Sequence, residues 1–301
     1  MEYPVTVDGV ELSSVAWGVS TRTGWRMSPA VRASQVVTAN GDGVLPSSRR
    51  APLEAGQISL QMWVQGSDFA DFTRKLDTLF AVFSTQRGLV PITLDVGNGI
   101  VRRAMGRTLA SISPEHISPT HAKLTAVMEI PSGRWEAEDY TVAKALNVTS
   151  TTTLSPLCGD PTAEITDHVL LIRSGGTAVQ YTVHDAGTST ISVQVRIPAP
   201  FSGGRSLLFD FANWRVYEIS PRPDWADLTP EWFADLPAVL TDRTAQVLRS
   251  GPMYGRSLLP VLPGESSVPP RRPALGVSAI DSSGLAVTLP SVAWAVRAAW
   301  I

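Results

Sequence analysis

One strongly amphipathic helix is predicted over Ser67–Ser84, in a chain that otherwise has the pattern of short strands and turns. Its large apolar side chains recur at spacings of three and four residues, which places them on one helix face. They are Phe69, Phe72, Leu76, Leu79, Phe80 and Phe83. Ser67 is expected to cap the first turn, Asp71 to pair with Lys75, and the helix to end near Arg87-Gly88. One helix cannot bury such a face alone, so it must pack on a sheet.

Strands with apolar residues at every second position are predicted on both sides of this helix. Gln57–Gln65 alternates most regularly, with Ile58, Leu60, Met62 and Val64 on one face. Asp8-Gly9 and Gly97-Asn98-Gly99 have the composition of hairpin turns, and His121–Ile130 is predicted to be the closing strand. This order of elements predicts an α+β first domain, residues 1–137, built from antiparallel sheets and one helix.

The second half of the chain, residues 138–301, has a different pattern. Runs of Val, Leu and Ile are separated by turns rich in glycine and serine, such as Ser174-Gly175-Gly176 and Ser282-Ser283-Gly284. Many short strands with regular turns predict an all-β sandwich. Residues 221–249 depart from this pattern, because they are rich in Trp, Asp and Leu and contain a helix-start signal at Thr229-Pro230-Glu231. We therefore expect an insertion on the sandwich there.

The composition is that of a folded chain with a weakly charged surface. Hydrophobic residues make up 44% of the 301 residues and charged residues only 17%, so there is apolar material for two cores and little charge outside them. A weakly charged surface is expected when part of it is buried against other subunits. The formal net charge of −2 does not favour nucleic acid as a main partner. The single cysteine, Cys158, excludes an intramolecular disulfide.

Motifs that would indicate catalysis, a metal or a membrane are absent from the sequence. None of the four histidines, His116, His121, His168 and His184, has the helical spacing of a zinc site. The sequence contains no Gly-x-Ser-x-Gly elbow, phosphate-binding loop or dinucleotide fingerprint. It also has neither a signal-peptide pattern at its first residues nor an apolar run long enough to span a membrane. We therefore expect no cofactor, no metal, no membrane association and synthesis in a cytoplasm.

The order of elements resembles that of the distal tail proteins of long-tailed phages with non-contractile (siphovirus-type) tails. In that family a turn-rich loop containing arginine, here Gly41–Arg50, precedes an alternating strand, here Gln57–Gln65, and a belt helix, here Ser67–Ser84. A hairpin follows, and the ring-forming belt domain closes near a Gly-Arg-Trp segment, here Gly133-Arg134-Trp135. The second half resembles the galectin-like sandwich of the family, whose last strand ends in an aromatic-containing tail, here Ala295–Ile301.

This resemblance implies a structural virion protein and no enzyme. The family forms a homohexameric ring at the distal end of the tail tube, joins the tube to the tail-tip hub and carries peripheral host-recognition parts. The implied partners are further copies of the chain, the tail-tube, hub and tape-measure proteins, and a receptor-binding protein. DNA would be met only in passage through the lumen, and the implied location is the tail tip of the virion.

Two segments supply the candidate contact residues. In the turn-rich segment 38–56 the candidates for the ring interface are Asp42, Arg49 and Arg50. Two arginines are a small electrostatic footprint for a DNA duplex, so we favour pairing with carboxylates of a neighbouring subunit over reading of DNA in the lumen. In the expected insertion the candidates for a peripheral partner or a glycan are Trp225, Trp232 and Leu236.

Two functions of other classes are open at this stage. A carbohydrate-binding module would stack tryptophans such as Trp225 or Trp232 on host wall glycans, whereas tryptophan is more often buried as an anchor. A glycosidase would need two facing carboxyl groups at a defined separation. The sequence offers acids without a way to choose a pair, among them Asp224, Asp227, Glu231 and Asp235.

Overall fold

The computed structural model describes residues 4–25, 35–37, 44–46, 54–85, 88–97, 100–173, 176–187, 192–201, 205–220, 224, 226–235, 239–250, 257–261 and 272–300. The chain divides into two compact units, Met1–Glu138 together with Ile301, and Asp139–Trp300. The first unit is α+β and the second is all-β apart from short helical turns in its described part, so the predicted fold class is confirmed.

The first unit is built from antiparallel strands around one apolar core. Its strands in the described residues are β1 (Val5–Val7), β2 (Val10–Glu11), β3 (Trp17–Thr23), β4 (Gln35–Val37), β5 (Val44–Pro46), β6 (Gly56–Gln65), β7 (Val90–Asp95), β8 (Val101–Thr108), β9 (Glu115–Ser118), β10 (His121–Ile130) and β11 (Trp135–Ala137). The main sheet runs in the order β2-β1-β7-β8-β10-β6-β3, with β9 paired to β10 and β11 to β8, while β4 and β5 pair with each other. The segment predicted to be a loop, 38–56, thus contains strand β5 and the first residue of β6.

The predicted alternation in β6 is confirmed. Ile58, Leu60, Met62 and Val64 are buried, and β10 pairs with the whole length of β6, from His121↔Gln65 to Ile130↔Gly56. These two strands place two rows of apolar side chains on the face that helix α1 (Phe69–Val82) covers. Burial of such a face is the main stabilising contribution to a unit of this size.

Helix α1 confirms the predicted stripe with three corrections, the first of which is its end, at Val82 with Phe83 as the C-cap and not near Arg87-Gly88. Phe72, Leu76, Leu79 and Val82 are buried, and Asp71 Oδ2 lies 2.7 Å from Lys75 Nζ, as predicted. The N-cap is Asp68, not Ser67: its Oδ1 accepts a hydrogen bond from the Asp71 N–H at 2.8 Å. Phe69 is 66% exposed. Helical side chains lean toward the N-terminus, so a side chain in the first turn projects beyond the sheet that the rest of the helix covers.

The core of the second unit consists of two six-stranded antiparallel sheets. Their strands in the described residues are β12 (Thr141–Val148), β13 (Thr153–Leu154), β14 (His168–Arg173), β15 (Gln180–Asp185), β16 (Ser192–Arg196), β17 (Ser206–Asp210), β18 (Arg215–Ile219), β19 (Val239–Asp242), β20 (Val247–Ser250), β21 (Leu275–Ile280), β22 (Ala286–Val287) and β23 (Leu289–Val296). A short last strand, β24 (Ala299–Trp300), lies outside these two sheets. The front sheet has the order β12-β23-β14-β17-β18-β19. The back sheet has the order β13-β21-β15-β16-β20, with β22 paired to β21.

The segment 221–249 contributes strands to both sheets of the second unit, beyond what was expected of an insertion. The predicted helix start is confirmed as α2 (Pro230–Ala234), which Thr229 caps by accepting from the Trp232 N–H. After α2, however, the chain forms β19, which pairs with β18 in the front sheet, and β20, which pairs with β16 in the back sheet. Both strands are short and lie at sheet edges, where some of their positions are exposed. They therefore lack the apolar alternation by which a strand is predicted from sequence.

Candidate assembly surfaces

Most residues that the sequence singled out for contacts fall outside the described part of the structure. For the ring interface these are Asp42, Arg49 and Arg50. For a peripheral partner or a glycan they are Trp225 and Leu236. The described candidate is Trp232, on α2.

Trp232 is an anchor of α2 on the front sheet. Its ring meets that of Phe233 edge to face at 4.9 Å between centroids, and it packs against a core cluster to which Phe233 and Leu228 belong. The same cluster contains one face of the front sheet, with Val169, Leu171, Leu208, Ile219, Ala293 and Ala295. Trp232 is half-buried, so its packing favours the structural role that the sequence analysis weighed against sugar stacking.

The acids named for a glycosidase do not form a described pair. Asp224, Asp227, Glu231 and Asp235 are all exposed. A hydrogen bond from Thr229 lowers the pKa of Glu231, whereas a general acid in glycoside hydrolysis needs a raised pKa. The pKa of Glu231 is thus shifted in the direction opposite to the one that a general acid needs.

The described residues offer no arrangement suited to a metal site, a reactive thiol or a membrane-spanning helix. They contain no group of three or more His, Cys, Asp or Glu side chains arranged to hold a metal ion. Burial raises the pKa of the Cys158 thiol to about 11, so it is neutral at physiological pH and a poor nucleophile. No helix in the described ranges is long and apolar enough to cross a membrane.

His168 is a buried group that the sequence pattern could not identify. Its side chain is fully buried and stacks on Phe211 at 4.2 Å. The Trp294 indole N–H donates to its Nδ1 at 3.0 Å, and its Nε2 lies 2.6 Å from the Leu259 carbonyl oxygen. These partners fix the neutral tautomer with the proton on Nε2. Burial lowers the pKa of His168 to about 3, and we assign it a structural role in the core.

Glu218 is a second buried polar group of the same unit. Both of its carboxylate oxygens are paired, one with Arg205 and the other with Arg243, whose Nη2 lies at 2.6 Å. Burial alone would raise the pKa of Glu218, but the hydrogen bonds and charges of the two arginines lower it overall. A fully buried carboxylate is tolerated only with such partners, so this network is structural as well.

Exposed apolar side chains in the first unit lie in two regions. The first, the end region, contains Val15, Phe69 and Ile117, all exposed. Backbone hydrogen bonds join the connections next to them, because the Gln65 N–H donates to the Ala16 carbonyl and the Gly66 N–H to the Thr120 carbonyl, each at 2.9 Å. These residues do not share one face, because His116 contacts Phe72 of α1 and its neighbour Ile117 on β9 therefore faces away from that helix.

The second, the strand patch, consists of Leu89, Met105 and Leu109, also exposed. Met105 pairs in register with Pro91, and the β7–β8 pairing places Leu89 next to Arg107. Positions 105, 107 and 109 alternate with buried neighbours and so share one face. Exposed apolar clusters of this kind are typical of contact sites with other proteins.

The fold matches that of a solved structure, the Dit protein (gp 19.1) of SPP1, described as a paradigm of the hub adsorption apparatus in phages that infect Gram-positive hosts. The TM-score is 0.60 at 14% identity, over 100% of both chains. The phage P2 baseplate in its activated conformation with calcium gives a TM-score of 0.44 at 8% identity, over 99% of this chain and 97% of that chain. No family model and no curated protein sequence matches. The resemblance predicted from the sequence is confirmed at the level of the fold.

Proposed function

We propose that this chain is a structural subunit of a phage tail tip. Copies of it form a hexameric ring at the distal end of the tail tube, and the ring joins the tube to the hub and carries peripheral host-recognition parts. The observation that supports this most is the match to SPP1 Dit over the full length of both chains. A match that covers both units is stronger support than the likeness of a single sandwich, because sandwiches serve many functions.

The surface of the first unit agrees with a role in assembly. Its exposed apolar side chains, such as Phe69, Met105 and Ile117, are unfavourable in water and become favourable when they are buried against protein. The chain is also poor in charged residues, at 17%. We infer that the first unit makes the ring, and that partners of the tail tip are the tube, hub and tape-measure proteins together with a receptor-binding protein.

The experiment that tests this proposal measures assembly directly. The purified chain is examined by mass photometry over a range of concentrations, alone and with the tail-tube protein of the same phage, and by negative-stain microscopy. We expect six-membered rings with a central channel. A species that stays monomeric under all of these conditions would contradict the proposal.

A carbohydrate-binding module is the alternative, and the described residues give it less support. Trp232 is half-buried and packs against the core cluster of the front sheet. A glycan array with the intact chain separates the two functions, with the Trp232→Ala variant as the matched comparison. Ring assembly without glycan binding supports the tail-tip role, and strong binding that depends on tryptophan by a monomer supports the alternative.

A further inference from the structure

We draw no further inference here: the strongest candidate, the half-buried indole of Trp63, which lies across Gly18 on the outward face of the sheet formed by β3, β6 and β10, belongs to a sheet face for which nothing in the structure shows what covers it.

Discussion

At the scale of single residues, His168 makes the stability of the second unit depend on pH. The folded state holds the imidazole neutral, with a pKa of about 3 because of burial, against 6.5 for an ordinary histidine. Below pH 6.5 the imidazole binds a proton in the unfolded chain but stays neutral in the folded chain. The contribution of His168 to the free energy of unfolding is therefore complete above pH 6.5 and is lost as the pH falls toward 3. We predict a loss of about 1.4 kcal/mol in the free energy of unfolding per pH unit in that window.

The measurement compares urea unfolding at pH 7 and pH 5 for the wild type and His168→Gln. Glutamine keeps a donor for the Leu259 carbonyl and does not titrate, so the variant is expected to be less stable at pH 7 but to have a shallower dependence on pH. If both proteins lose stability equally between pH 7 and pH 5, other groups cause the dependence and the assignment to His168 is wrong.

A glycine between β6 and α1 gives a second prediction at this scale. A Cβ atom on Gly66 would lie 2.5 Å from the Phe72 backbone nitrogen and 2.6 Å from its Cα, whereas one on Gly88 would meet nothing within 4 Å. We expect Gly66→Ala to destabilise the first unit by about 1–3 kcal/mol, since α1 must move away from the end of β6. Gly88→Ala is the control and should change stability by about 1 kcal/mol at most. Thermal unfolding of both variants and the wild type tests this prediction. Equal melting temperatures for Gly66→Ala and Gly88→Ala would show that the turn at Gly66 can accommodate a Cβ atom.

At the scale of elements, α2 packs on one face of the front sheet through Phe233. This side chain is fully buried in the core cluster, while Trp232 beside it is half-buried. We predict that Phe233→Ala lowers the free energy of unfolding of the second unit by about 3–5 kcal/mol, and that Trp232→Ala costs less. Leu248→Ala, at an exposed position of β20, should stay within about 0.5 kcal/mol of the wild type. An equally small loss for Phe233→Ala in urea unfolding would mean that α2 is a peripheral element.

The same element corrects the expectation for residues 221–249. The sequence pattern suggests that this segment can be removed while the fold survives. With α2 on one face of the front sheet and β19 and β20 each completing a sheet, deletion exposes the core cluster and leaves β18 and β16 as new edges. We therefore predict that the deletion prevents soluble folding of the second unit. A soluble, cooperatively unfolding deletion variant would contradict this.

The elements that could be predicted from sequence are those whose signal is local. The alternation of β6 and the stripe of α1 are fixed by neighbouring residues, and both are confirmed with small shifts at their ends. Periodicity places Phe69 on the stripe, although Phe69 is exposed, because periodicity cannot report where the sheet beneath the helix ends. His168 depends on Leu259 and Trp294, which are 91 and 126 residues away in the chain, so no local pattern could identify it. The exposed apolar side chains of the first unit have no local signal for a related reason, since their exposure depends on where the sheet and the helix end.

At the scale of the whole molecule, we place the proposed ring contacts in the first unit. Exposed apolar side chains such as Phe69, Met105 and Ile117 lie within Met1–Glu138. Each unit has its own apolar cluster, which is the condition for folding alone. We therefore predict that a fragment of residues 1–138 unfolds cooperatively and retains ring assembly, while a fragment of residues 139–301 unfolds cooperatively and remains monomeric.

Light scattering coupled to size-exclusion chromatography measures the mass of each fragment, and calorimetry measures its unfolding transition. The intact chain, measured in the same way, is the control, because it should assemble as the 1–138 fragment does. Assembly by residues 139–301 with a monomeric 1–138 fragment would move the ring contact to the sandwich. It would also leave the exposed apolar side chains of the first unit for the tube or the hub, since such side chains remain unfavourable in water until some protein covers them.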